Sequence, residues 1–399
     1  MNEKKPDKKS PYKETDKVRV RKSYYTFSEE YPADRFHITR RKKRRSKRLR
    51  IQLVSAVIGF VALLCLSYFV VSTAMEISKA PIDSSNNSSF SEEINVAAKL
   101  KENGVRALYM PYTKLSDKNF VNDFVYEIQR KNCNCVVIDF KTQSGKLAYS
   151  SLLDYAIAGR CNLFDNDTVR QVIDTFNNNG ITVIAGIYCF EDSAVAESNR
   201  DLAVKYMDTD VNWRNSADEN GGSWLNPFSK NVRKYIADVI SELYSMNIKG
   251  FLLHSVQFPD GAATGATYPG ETKTGQRNLV LKNFVSSLKS RLPEDAFIIV
   301  SQGADDASKG NNDIYFGPMG DISSDALAVI SKERDPSIVL TKKDKFISVI
   351  SIYSQVSSNF PEKIIVPIIE TDEYSKRYIR QMKRNAFTSY IIYDGEGNY

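Results

Sequence analysis

Histidine is nearly absent from this chain, with only His37 and His254 among 399 residues. Cysteine is scarce too. Of the five, Cys65 lies in a long apolar run, which leaves Cys133, Cys135, Cys161 and Cys189 for the remaining 326 positions. Four cysteines in a segment of that size exclude a small disulfide-stapled scaffold. Cys133 and Cys135 share one face of a strand, but with no histidine near them they are a poor start for a zinc site, and buried thiols are the simpler expectation. No metal and no cofactor is assigned. Glycine-rich phosphate loops are missing as well: neither GxGxxG nor GxxxxGK[ST] follows the first apolar strand, so a dinucleotide-binding or P-loop NTPase reading has nothing to rest on.

Charge of either sign is missing from residues 51 to 73, IQLVSAVIGFVALLCLSYFVVST, a run of 23 positions. At about 1.5 Å per helical residue this crosses a hydrocarbon core roughly 30 Å thick. A cleaved signal peptide has a shorter apolar core and a shorter basic flank. The run therefore reads as a transmembrane helix acting as a signal anchor, although small residues such as Ala74 leave cleavage open. The net charge of +7 is concentrated before it: residues 1 to 50 hold 19 Lys or Arg against 7 Asp or Glu, and the rest of the chain holds 36 against 41. RRKKRRSKRLR, residues 40 to 50, keeps the N-terminus on the cytoplasmic side and attracts anionic lipid. Beside a span this role outweighs a nucleic-acid patch. The expected partners are thus membrane lipid through the span and the basic run 40–50, and no nucleic acid.

The organisation follows from these composition shifts. Residues 1–50 form a disordered, basic cytoplasmic tail, 51–73 the span, and 74–95 a polar linker rich in Ser and Asn. From about residue 96 to 399 short apolar runs alternate with amphipathic ones. VRALYMP, CVVIDFK, ITVIAGIYCF, GFLLHSVQFP, AFIIVSQG, DALAVI, KIIVPIIE and SYIIYD read as eight buried strands. Helical or long connections separate them. Eight strands in alternation over about 300 residues are what a (β/α)8 TIM barrel requires. The expected fold is α/β, a TIM barrel preceded by a single transmembrane helix and a disordered basic N-terminal tail.

Active sites of such barrels lie at the C-terminal ends of the strands. The residues that end these runs are acidic: Asp139 on the second, Glu191 and Asp192 on the third, Glu333 and Asp335 after the sixth, Glu370 on the seventh and Asp394 on the eighth. Paired carboxyl groups at one rim suit glycoside hydrolysis, in which one protonates the leaving oxygen and the other attacks or activates water. They also suit a cation, or helix caps. Tyr109, Tyr112, Tyr188, Trp213, Trp224 and Tyr393 fall at or beyond the same ends, where flat rings either stack on sugars or close the barrel.

VVIDFKTQSGKLAYSS, IAGIYCFEDSAVAESNRDLAVK, WLNPFSKNVRKYIADVISEL and GFLLHSVQFP, taken in order, resemble the glycosyl-hydrolase-type TIM-barrel domains of bacterial envelope proteins. That family is loosely allied to the α-amylase-like enzymes. The resemblance spans most of residues 100 to 399 and extends to the closing IIYDGEGNY. It implies carbohydrate as substrate class and the cell envelope as setting. Asp139 and Asp192 match family positions. In place of the family's fourth-strand FDYVRFP this chain has LHSVQFP, so His254 stands for the Asp, Ser255 for the Tyr and Gln257 for the Arg. The family's SADVFG is SQGADD here, which leaves only Asp305 or Asp306 to supply that carboxylate.

These substitutions favour an extracytoplasmic module that binds cell-wall or other envelope polysaccharide with catalysis weakened or lost. Tyr112, Asp192, Trp224, His254, Gln257, Glu333 and Asp394 are its expected contacts. The alternative is an active glycoside hydrolase with Asp139, Glu191 and Glu370 as catalytic carboxylates. A structural role in the envelope is the third possibility. On a strand, Ser255 is expected to face away from His254.

Overall fold

The computed structural model describes residues 95–215, 222–261, 265–272, 274–303, 306–307, 313–330, 351, 353–370, 379–380, 383–384 and 387–394. The expected tail, span and most of the linker lie outside them, as do Glu333 and Asp335. Among the described residues no helix is long and apolar enough to cross a membrane. Residues from Phe90 onward form one compact unit.

Eight strands build a closed parallel barrel: β1 Arg106–Tyr109, β2 Cys135–Lys141, β3 Thr182–Tyr188, β4 Gly250–His254, β5 Phe297–Gly303, β6 Ala326–Ile330, β7 Ile364–Glu370 and β8 Tyr390–Tyr393. Each pairs with its neighbours in sequence, and the ring closes where β1 meets β8 with Leu108 opposite Ile392. These are the eight runs expected from the sequence. Their buried residues divide between two apolar clusters, as a period of two requires. Ala107, Val137, Ile184, Leu252, Ile299, Ala328, Val366 and Ile391 fill the barrel, while Leu108, Val136, Val183, Phe251 and Ile298 face the outer layer. In a closed barrel interior-facing side chains are packed core, so both faces of every strand must be apolar.

One helix has no counterpart among the expected amphipathic runs. α1, Val96–Asn103, is capped by Asn95, whose Oδ1 accepts from Ala98 N at 2.9 Å, and ends at Gly104 with φ +72°. Its buried Ala97 and Leu100 belong to the interior cluster, so α1 closes the floor of the barrel. With only Ala97 and Leu100 buried and Val96 partly so, the eight residues are too few for a periodic signal. The outer helices include α2 Lys118–Arg130, α4 Asn166–Asn178, α6 Lys230–Ser245 and α7 Arg277–Arg291, with short α3 Asp154–Ala158 and α5 Ser193–Ser198 in the loops. Asp117, Asp165 and Ser229 cap α2, α4 and α6 through backbone N–H groups three residues on.

Long excursions follow β3 and β4. They are stitched together by a two-stranded antiparallel sheet, Lys205 opposite Thr267 and Tyr206 opposite Ala266. This holds the loops on the β3–β4 side of the mouth as one piece.

Candidate functional site

The C-terminal ends of β1, β2, β3, β4, β5, β7 and β8 bring Tyr109, Asp139, Tyr188, His254, Ser301, Glu370 and Tyr393 to one mouth. Asp139 is a buried acid, with 7% of its surface exposed. Tyr109 Oη donates to its Oδ2, and its Oδ1 has no hydrogen-bond partner. Gly186 lies opposite it on β3. A Cβ at position 186 would stand 2.1 Å from Oδ1, so the carboxyl group occupies space that any other residue there would fill. Burial pushes Asp139 up to about 6, against the opposing pull of the Tyr109 hydrogen bond. The Tyr109 hydroxyl is driven far above its ordinary value by burial and then by the Asp139 charge. Tyr109 also packs on Tyr393, with ring centroids 4.6 Å apart.

On the facing side His254 stacks on Tyr188, centroids 4.7 Å apart and rings 23° from parallel. Its Nδ1 is 2.9 Å from Ser301 Oγ. Burial lowers the imidazole to about 4, so at neutral pH it is uncharged. Ser301, not Ser255, is the partner. It lies two residues beyond Ile299 on the interior face of β5. Ser255 has left the strand, with φ +51°, and its hydroxyl donates to Glu191 Oε2 at 3.1 Å. The expected simple strand alternation past His254 therefore fails at the turn that ends β4.

Glu191 is a buried hub. Its Oε1 accepts from Gln143 Nε2 at 2.7 Å and from Asn215 Nδ2 at 3.0 Å, and Asn215 Oδ1 accepts from the Trp224 indole at 2.6 Å. One carboxyl group thereby joins the loops after β2, β3 and β4. Glu370 is exposed at the end of β7, in register with Tyr393. Asp394 follows Tyr393 and is half-buried. Gln257 accepts from Tyr315 Oη at 3.3 Å, and Tyr112 is half-buried against the outer core.

Two expected contacts are placed elsewhere. Asp192 has no exposed surface: it pairs with Lys141 at 2.7 Å and caps α5 through Val195 N at 2.9 Å. A Cβ on Gly145 would fall 1.9 Å from its Oδ1, so the loop after β2 is folded tightly over it. Trp224 is 3% exposed with its indole N–H bonded to Asn215, a packing position rather than a stacking face. Tyr188 and Tyr393 supply the aromatic faces instead. Asp306 leans over the end of β5, its Oδ2 2.7 Å from where a Gly303 Cβ would be. The four cysteines after residue 100 are free thiols. Among the described residues no group of three or more His, Cys, Asp or Glu is arranged to hold a metal ion.

A closed ring of eight parallel strands with helices between them is a TIM barrel. Residues 107–305 match the family described as "Putative glycosyl hydrolase domain", and that segment of the chain belongs to it. Among solved structures the chain is similar to a hypothetical protein from Ruminiclostridium thermocellum, with 21% identity over 48% of this chain and 96% of that one, TM-score 0.42. An α-galactosidase from Thermus thermophilus matches at 10% identity over 73% of this chain and 58% of that one, TM-score 0.48. The glycoside hydrolase domain of PelA from Pseudomonas aeruginosa matches at 12% identity over 74% and 96%, TM-score 0.41. Among curated protein sequences none matches.

Proposed function

We propose that this chain is a membrane-anchored, extracytoplasmic glycosyl-hydrolase-like barrel that binds envelope carbohydrate at its mouth, with hydrolysis weakened or lost. The observation that carries this reading is the state of His254. A residue at the end of β4 that would serve as a catalytic carboxylate is instead a neutral imidazole, bonded to Ser301 and stacked on Tyr188. It offers no charge for an oxocarbenium-like transition state and no nucleophilic oxygen. Glu191, the other candidate acid near it, already accepts three hydrogen bonds that order loops. Tyr188 and Tyr393 remain to stack on sugar rings, and Asp394 follows Tyr393 at the rim. The charge-free run 51–73 and the basic run before it support anchoring with the barrel outside.

The test is co-sedimentation of the full-length protein with purified cell-wall polysaccharide, comparing wild type with Tyr393→Ala. Binding that the substitution weakens supports the proposal. Absence of binding to every envelope polymer tried overturns it.

A second reading has one observation in its favour. Asp139, buried and held near 6, has the proton affinity of a general acid at neutral pH. With Glu370 or Glu191 as its partner the barrel would be an active glycoside hydrolase. Release of new reducing ends, abolished by Asp139→Asn, is the result that would favour it.

A further inference from the structure

The chain after residue 50 is net acidic, with 36 Lys or Arg against 41 Asp or Glu, yet positive charge gathers on one face of the barrel. That face is the floor, opposite the mouth. Resting on the membrane-anchored part of the reading above, we infer that the floor docks on an anionic phospholipid surface and so turns the mouth away from the bilayer.

Two sectors of the floor carry the charge. In the first, Lys101 of α1 and Lys289 in the last turn of α7 both pair with Asp325, which stands just before β6. Lys363, just before β7, donates to the carbonyls of Ile322 and Ser324, and the charges of Lys289 and Asp325 bear on it. Three ammonium groups thus crowd around one carboxylate. In the second sector Arg106 opens β1, Lys131 caps α2 and Lys383 comes shortly before β8; all three bear on the Cys133 thiol, in the turn between α2 and β2. Lys99 of α1 and Arg106 bear on Cys135 in the same sense. The acid beside them is Glu127, which already holds Arg130 at 2.5 Å and Lys131 at 3.5 Å. Exposed Glu102, Glu294 and Glu362 reduce the excess without cancelling it. Because α1 gives Lys99 to one sector and Lys101 to the other, the two are joined.

Helix ends account for part of this pattern. A cation in the last turn offsets a helix dipole, which covers Lys101, Lys289 and Arg291. It does not cover Arg106 and Lys363, which stand where β1 and β7 begin.

A bilayer fits the face better than a soluble polyanion does, for two reasons. The charge is spread round the ring from β5 through β8 to β2, a broad area that suits a plane of headgroups. The second reason is the attachment of the chain. α1, which closes the floor, is the first element after the expected span, and the 22 residues from 74 to 95 reach at most about 75 Å even fully extended. A face tethered within that distance meets its ligand at high effective concentration. The carboxyl groups of the mouth lie at the other end of the strands, so an anionic surface attracts one end of the barrel and repels the other.

The test places the full-length protein in nanodiscs of phosphatidylcholine, with or without phosphatidylglycerol, and measures how fast an amine-reactive ester acetylates each lysine. Lys99, Lys131 and Lys383 report on the floor. Lys118 and Lys230, which open α2 and α6 on the mouth side, are the controls. The expected result is a rate roughly fivefold lower at the floor lysines in the anionic nanodiscs, the factor one basic residue contributes at such a surface. The controls should not change, and the protection should vanish at high salt. Arg291→Glu combined with Arg384→Glu, both at exposed positions, should remove most of the protection while leaving the reporter lysines in place. If that variant does not fold, the salt series on wild type decides the matter. Equal rates in the two nanodiscs, from protein that resists alkaline extraction, overturn the inference and leave anchoring intact. Equal protection of Lys118 and Lys230 also overturns it. So does inorganic polyphosphate that shields the floor lysines as well in neutral nanodiscs, because any polyanion then suffices. Protein washed from the nanodiscs by alkali removes the anchoring reading and the inference together.

Discussion

Asp139 and His254 should tilt the stability of this protein with pH in opposite directions, so that each hides the other until one is removed. Burial moves Asp139 from 3.8 to about 6 and His254 from 6.5 to about 4. Each displacement corresponds to about 3 kcal/mol. The folded Asp139 holds a proton that the unfolded chain has already lost, so its contribution is most favourable below pH 4 and is lost as pH rises through about 6. The folded His254 stays neutral where the unfolded chain binds a proton, so its contribution is present above pH 6.5 and is lost as pH falls through about 4. Between pH 4 and 7.5 the two changes nearly cancel. Asp139→Asn keeps the acceptor for Tyr109 and removes one of them: relative to wild type, its stability should rise by about 2 to 3 kcal/mol more at pH 7.5 than at pH 4. His254→Asn, which retains a polar atom for Ser301, should show the reverse, losing about 2 to 3 kcal/mol relative to wild type over the same rise. Urea denaturation of the three proteins at a series of pH values reads both differences directly. Parallel profiles for all three would refute the reasoning, since they would mean that neither group titrates abnormally in the fold.

Gly186→Ala should cost about 1 to 3 kcal/mol, the usual range for overpacking, because its Cβ would stand 2.1 Å from Asp139 Oδ1. Most of that cost should vanish in Asp139→Ala, where the opposing atoms are gone, and a double-mutant cycle measured by chemical denaturation checks it. Lys141→Met leaves Asp192 buried without its partner, so stability should fall by about 3 to 5 kcal/mol, as read from the same denaturation midpoints. Trp224→Ala should act through folding: a loss of about 3 to 5 kcal/mol is expected for a buried indole. Calorimetric melting should register that change before any sugar is added.

The eight strands were legible because both faces of a barrel strand are buried, which writes each as a short continuous apolar run such as CVVIDF or IIVPII. Helix α1 was not legible, since Val96, Ala97 and Leu100 are too short a pattern to show a helical period. For the site, chain position singled out Asp139, Glu370 and Tyr393 at strand ends, and the barrel rule placed strand ends at the mouth. It gave no means of separating Glu191 from Asp192. Both end the same strand, yet one becomes the acceptor of three loop donors and the other a buried ion pair with Lys141. That division depends on side chains 24 to 64 residues away, Asn215, Gln143 and Ser255 among them, which local pattern does not encode. Ser301 was missed for the same reason: its tie to His254 crosses from β4 to β5.

Carbohydrate binding without efficient hydrolysis is the central claim, and one experiment addresses both halves. Full-length protein is incubated with isolated cell-wall polysaccharide, and both the bound fraction and new reducing ends are measured, with Asp139→Asn beside wild type. The account predicts binding by wild type and no release above that of the Asp139→Asn protein. Release by wild type that Asp139→Asn abolishes would contradict it, and would make Asp139 the general acid of a working glycoside hydrolase.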